Sequence, residues 1–281
     1  MTPNLSISMN NIEYALNNEG VHIIASSQNP SKPALAQLLA LQHALSQRKS
    51  ILYFSMEQER FDILAMASCM LKGICYTKVK ARTLTSIEKN LFFKGLDDSK
   101  KRITIIRKFQ KRRVKDIEAQ LVKAPESIVV VDSLQYITPY NQLEAPSKEE
   151  NMESIMRDLH ELARTHKTSI IIFSHLSWPL KQSNLKAKAI LKDLEGGPAI
   201  EQIASSVVML RQNDHATLTL SILKCHYAPT GEIQANWDNH RSCIVPIYAY
   251  PRTSLQKEIS TDVQDLCTRI AVDCFAITKR A

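Results

Sequence analysis

The 281-residue chain has no apolar run of about 18 residues, the length that a membrane-crossing helix requires. Its first residues, MTPNLSISMNNIEY, lack a basic region followed by an apolar stretch. These absences exclude a helical anchor and a secretory leader and lead us to expect a cytoplasmic protein with no membrane partner. None of the six cysteines, at 69, 75, 225, 243, 267 and 274, forms a C-x-x-C pair. No metal site is expected, and buried reduced thiols are. A further absence bears on function. The segment IIASSQNPSKPAL at 23–35 leaves an apolar strand for a loop with one lysine and no glycine.

What is present is an alternation of short β-branched runs with stretches of helical period, the pattern of a mainly parallel sheet covered on both faces. Strands are expected at Val21–Ala25, Ile51–Ser55, Ile103–Ile106, Ile128–Asp132, Ser169–Ser174, Val207–Leu210, Thr217–Lys224 and Ser242–Ala249. Helices are expected near 34–47, 58–71, 85–94, 112–122, 148–165 and 199–204. In the clearest of them Met152, Ile155, Met156, Leu159, Leu162 and Ala163 share one face, as 3.6 residues per turn requires. The length suits one large domain or two small ones.

In this α/β reading three strand ends carry nucleotide-site chemistry. IVVVD at 128–132 ends in Asp132, placed as an acid that holds a metal through water. ILYFSME brings Glu57 to the same edge, where a carboxylate can orient water, and IIIFSH brings Ser174 and His175. The first loop does not match them. A phosphate loop ends Gly-Lys-Ser/Thr because glycine lets backbone N–H groups close on phosphate, lysine neutralises it and the hydroxyl ligates magnesium. Here Ser31 and Pro33 flank Lys32, and proline supplies neither an N–H nor a hydroxyl.

From about Val21 to Trp237 the chain resembles the C-terminal RecA-like motor domain of the DnaB family of replicative helicases. The resemblance is carried by Asp193, Leu194, Ile200, Glu201, Gln202 and Ala204 in DLEGGPAIEQIASSVVML. It is carried also by Lys224, Pro229 and Gly231 in KCHYAPTGEI, by FSMEQE at 54–59 and by VVDSLQYI at 130–137. It implies a RecA-like P-loop NTPase fold, with antiparallel strands added near the C-terminus, and no N-terminal helical domain. The implied organisation is an arm or linker helix at 1–20, the RecA-like domain at 21–250 and a helical tail at 251–281.

The departures from the family pattern concern phosphate contacts. Against the family's P-S-x-G-K-T stand Gln28, Asn29, Pro30, Ser31, Lys32 and Pro33. The family's arginine finger, which reaches a neighbouring subunit's site, corresponds to His226, and its phosphate-sensing glutamine to His175. Histidine lacks the planar, permanently charged fork of arginine. The resemblance therefore implies vestigial Glu57, Asp132, Ser174 and His175, a trans-acting hairpin with Lys224 and His226, and no cofactor, with ATP and magnesium bound only if the altered loop still admits nucleotide.

Net charge +8 and a pI near 9.1 favour a polyanionic partner. In the family the loop matching 177–197 faces single-stranded DNA, so Lys181, Lys186, Lys188 and Lys192 are candidate phosphate contacts. The densest basic run includes Lys100, Lys101, Arg102, Arg107, Lys108, Lys111, Arg112 and Arg113. Aromatic residues there are scarce, Trp178 and Phe109 alone, which favours phosphate contact without sequence reading. The tail places Val263, Leu266, Cys267, Ile270 and Cys274 on one helical face. Residues 9–18 are the candidate linker helix for a homo-oligomer. Three functions fit: a non-hydrolysing accessory of DNA replication that binds single-stranded DNA, a replicative helicase or another replication protein; a divergent active ATP-dependent helicase; or an interaction scaffold unrelated to replication.

Overall fold

The structure, a computed structural model, describes residues 9–26, 35–107, 113–139, 148–174, 190–191, 194, 197–213, 217–238 and 242–247. Its elements run α1 (Met9–Asn17), β1 (Gly20–Ser26), α2 (Leu35–Ser46), β2 (Ile51–Ser55), α3 (Arg60–Lys72), α4 (Tyr76–Ala81), α5 (Ser86–Arg102), β3 (Ile103–Ile106), α6 (Val114–Leu121), β4 (Ile128–Asp132), α7 (Lys148–Thr165), β5 (Ser169–Ser174), α8 (Gly197–Ile203), β6 (Ser206–Gln212), β7 (Thr217–Cys225), β8 (Gly231–Asp238) and β9 (Cys243–Pro246). The loop at 27–34, His175, residues 108–112, the loop lysines 181–189 and Lys192, and the tail from 248 lie outside the described residues.

One nine-stranded sheet has the order β3-β2-β4-β5-β1-β6-β7-β8-β9. β1 to β6 pair in parallel, and β7, β8 and β9 add as antiparallel strands. Strand side chains alternate between two apolar layers. Ile24, Ile51, Tyr53 and Val130 face α1, α2, α3 and α5, while Val21, Ile23, Val129 and Val131 face α6, α7 and α8. The apolar stripe of α7 is buried as its spacing requires, with Met156, Leu159 and Ala163 fully inaccessible.

Three elements differ from the sequence reading. The fifth helix runs on to Arg102, past the polar DDSKKR stretch. Gly95 looks like a stop but is a close-approach point, since a Cβ there would lie 2.3 Å from Ser68 Oγ on α3. The Lys72–Asp98 ion pair at 2.7 Å then ties the continuation to α3. The short α4 has no apolar period to announce it. β8 alternates buried Ile233 and Ala235 with polar neighbours, so the region after Thr217 holds three strands where two were expected. β9 ends at Pro246, on a sheet edge, where proline's missing donor is tolerated. Gln42 of α2 holds it, donating to the Ile244 carbonyl at 3.1 Å and accepting its N–H at 2.9 Å.

Helix α1 packs on its own domain. Ile12, Ala15 and Leu16 are fully buried, and Ser169 at the start of β5 donates to the Leu16 carbonyl at 3.0 Å. Gly20 then enters β1 with φ +142° beside Ser205, a conformation that a side chain would not tolerate. His22 lies beneath this turn. Its Nε2 donates to the Asn18 carbonyl at 2.7 Å, leaving Nδ1 to accept from the Ser206 hydroxyl at 2.9 Å. His43 of α2 is buried nearby, and burial lowers both histidines from 6.5 to about 4.

Below pH 6.5 the unfolded chain therefore takes up protons that the folded chain refuses, and stability is lost as pH falls toward 4. The expected loss at pH 5 is about 2 kcal/mol per histidine, read as a drop in urea midpoint relative to pH 7.5. His43→Leu should remove about half of that pH dependence. An unchanged pH profile in His43→Leu would show that His43 is not buried neutral.

Candidate functional site

The carboxyl edge of the parallel strands gathers Glu57, Asp132 and Ser174. Asp132 ends β4 opposite Ser55 of β2, and Ser174 ends β5 opposite Ala25 of β1. Met56 N donates to the Asp132 carbonyl at 2.9 Å, which carries the β2 chain over the end of β4. The Ser55 hydroxyl donates to the Gln58 carbonyl at 2.8 Å and accepts the Gln58 N–H at 3.2 Å, closing a turn around Glu57. Arg107, just past β3, then grips Glu59 with both guanidinium nitrogens, the Nη2 contact being 2.6 Å. Gln135, in the short 3-10 turn after β4, donates to the Ser174 hydroxyl at 3.3 Å. Sequence reasoning named Glu57, Asp132 and Ser174 but missed Arg107–Glu59 and Gln135, which set the loops between them.

The electrostatics of this edge favour a neutral acid. Asp132 is 5 % exposed, and its pKa rises from 3.8 to about 7, first through burial and second through Glu57, with Tyr53 opposing. Tyr53 is fully buried and its hydroxyl is pushed up by burial and by Asp132. Tyr53, unlike Asp132, carried no signal in the sequence beyond membership of an apolar strand. Gln37, like His43, is a polar residue buried on the largely apolar α2.

The hairpin residues sit elsewhere. Lys224 pairs with Val207 near the start of β6, and His226 N donates to the Ser205 carbonyl at 3.1 Å, so β7 delivers both toward the amino edge of the parallel strands. β7 is four strand steps from β4, roughly 19 Å at about 4.8 Å per step. Lys224 Nζ donates to the Glu201 and Gln202 carbonyls at 2.7 and 3.2 Å, at the end of α8. His226 is exposed and meets Tyr227 edge-on at 6.1 Å. From such positions neither side chain reaches the acids of its own chain.

Of the basic run, Lys100 pairs with Asp97 at 3.1 Å, Arg102 donates to the Leu45 carbonyl at 2.7 Å and Arg113 lies 4.0 Å from Asp116 with its side chain 16 % exposed. These cations are engaged within the fold. Ser31, Lys32, Pro33, His175, Lys111, Arg112, Lys181, Lys186, Lys188 and Lys192 lie outside the described residues.

Among the described residues no group of three or more His, Cys, Asp or Glu side chains can hold a metal, and no helix is long and apolar enough to cross a membrane. The magnesium that such a site implies fits poorly here. The Asp132 carboxyl is buried with its pKa raised to about 7, which opposes the ionised form that a metal requires.

A parallel sheet extended by antiparallel strands, with an acid at the carboxyl edge, defines a RecA-like domain. The sequence profile of the family described as DnaB-like helicase C-terminal domain matches residues 6–244, most of the chain, and the protein belongs to that family. No curated protein sequence matches it. Among solved structures, an ATPase domain aligns with TM-score 0.68 and 21 % identity, covering 83 % of this chain and 86 % of its own. A DnaB-like replicative helicase, described with its interactions with primase, aligns with TM-score 0.69 and 20 % identity over 83 % of this chain, which spans 58 % of that one. Both show the same fold.

The Asp132 carboxyl is expected to titrate near pH 7 by NMR. Glu57→Gln should lower that value by removing a neighbouring negative charge, while burial keeps it above 3.8. Titration near 4 in the wild type would contradict the buried geometry.

Proposed function

We propose that this DnaB-like domain is a non-hydrolysing module of DNA replication that binds single-stranded DNA, a replicative helicase or another replication protein. The observation that carries this reading is Pro33 at the hydroxyl position of the loop motif in sequence, together with a buried Asp132 whose pKa is raised to about 7. Nucleotide phosphates need a backbone cradle, a hydroxyl and an ionised acid together, and the chain supplies only Lys32 from the loop.

The hairpin supports an oligomeric role. Lys224 and His226 lie four strand steps from the acids, so any phosphate contact they make serves a site on a second copy. Lys224 would first have to leave the end of α8. The surviving cluster of Glu57, Asp132 and Ser174 favours a second reading, a divergent ATP-dependent helicase. Loss of the finger arginine weighs against it, since such a residue contributes about three to five orders of magnitude in turnover.

ATP turnover with and without single-stranded DNA should stay at background. Robust turnover abolished by Glu57→Gln would overturn the reading in favour of the helicase. Ser31→Gly with Pro33→Thr should recover nucleotide binding if Lys32 alone has kept its place.

For DNA, affinity should fall steeply with salt and vary little with sequence, because counterion release supplies the free energy. Lys186→Ala with Lys188→Ala should reduce the slope of log affinity against log salt by up to about two units. An unchanged slope would remove those lysines from the interface.

A further inference from the structure

Four polar atoms without hydrogen-bond partners among the described residues meet beneath the carboxyl edge: Gln37 Oε1 and Nε2, Tyr53 Oη and Asp132 Oδ2. Their residues are 0 %, 0 % and 5 % exposed. The strand register brings two of them together independently of any electrostatic argument. Tyr53 pairs with Val130, so Asp132 two residues on is its diagonal neighbour on the same face, within reach of a long side chain. That face is covered by α2, which carries Gln37. Gln37 and Asp132 are also the neighbours that act on the Tyr53 hydroxyl.

Buried polar groups in folded proteins are almost always paired, directly or through ordered water. This set can pair within itself. Gln37 offers two donors and an acceptor, Tyr53 one donor and an acceptor, and Asp132 an acceptor, so a small rotation or one internal water closes the set. We infer that Asp132 anchors a closed polar network with Tyr53 and Gln37, which ties α2, the helix that follows the lysine loop, to β4 and competes with magnesium for the carboxylate. The site is then closed twice, by Pro33 in the loop and by two polar residues in the core. The second closure would survive repair of the first. This deepens the reading above, and only its magnesium arm rests on that reading.

The first test is a double-mutant cycle on stability with Tyr53→Phe and Gln37→Leu, both isosteric enough to keep the core filled. Each single change leaves a partner unpaired and should lower the folding equilibrium constant by about tenfold or more. The double change leaves Asp132 without a partner as Tyr53→Phe already does, so it should be no worse than Tyr53→Phe alone, a non-additivity of at least about tenfold. Additive losses overturn the network. If Gln37→Leu fails to fold, Tyr53→Phe alone decides, through a shifted Asp132 carboxyl resonance if the network exists and an unmoved one if it does not.

The second test uses ADP with and without magnesium on protein carrying Ser31→Gly and Pro33→Thr. Magnesium should not change ADP affinity while Tyr53 and Gln37 remain, and should tighten it about tenfold once Tyr53→Phe and Gln37→Leu are added. Tightening by magnesium with both residues intact contradicts the competition. Absence of all ADP binding counts against the placement of Lys32, leaving the stability cycle to decide the network.

Discussion

Burial of β1 between two parallel neighbours is the constraint on which the rest of the structure depends. β5 lies on one side of it and β6 on the other, with its side chains divided between the two apolar layers. A strand so enclosed must be apolar on both faces, and it aims the chain at the carboxyl edge beside Ser174. The amino end is equally constrained, because Gly20 must pass Ser205 closely and His22 must satisfy Asn18 and Ser206 without a charge. Helix α1 is fixed to the domain by the same contacts. Its apolar residues Ile12, Ala15 and Leu16 are fully buried within this chain.

The opposite edge shows what such an enclosed sheet does to acids. An aspartate at the end of a buried strand is ionised only if a cation or several hydrogen-bond donors compensate for lost water. Glu57 adds negative charge near Asp132, and Lys224 is held at the end of α8 across the sheet. Arg107, just past β3, is committed to Glu59. The acid therefore takes up its proton near neutral pH, well above the usual carboxylate range. The edge is thus tightly packed around a carboxyl whose ionisation is disfavoured by burial and by Glu57.

The parallel core was legible because its strands are short, β-branched and bounded by helical periods, and six of them lie where the residues indicated. Glu57, Asp132 and Ser174 were legible for the same reason, since strand ends fix where side chains emerge. β8 escaped notice because small Ala235 and polar neighbours give weak alternation, and the end of α5 because Gly95 acts through contact with Ser68. The couplings around the site were illegible in principle. Nothing in the spacing of Arg107 and Glu59, or of Gln37, Tyr53 and Asp132, states that distant segments converge. Tyr53 resembles any core aromatic until the strand register places Asp132 diagonally from it.

The central claim is that this DnaB-like domain does not hold magnesium nucleotide. Calorimetric titration of the full chain with ATP and excess magnesium tests it most directly. The account predicts no saturable heat up to millimolar ligand, whereas a saturable isotherm in the micromolar range would contradict it.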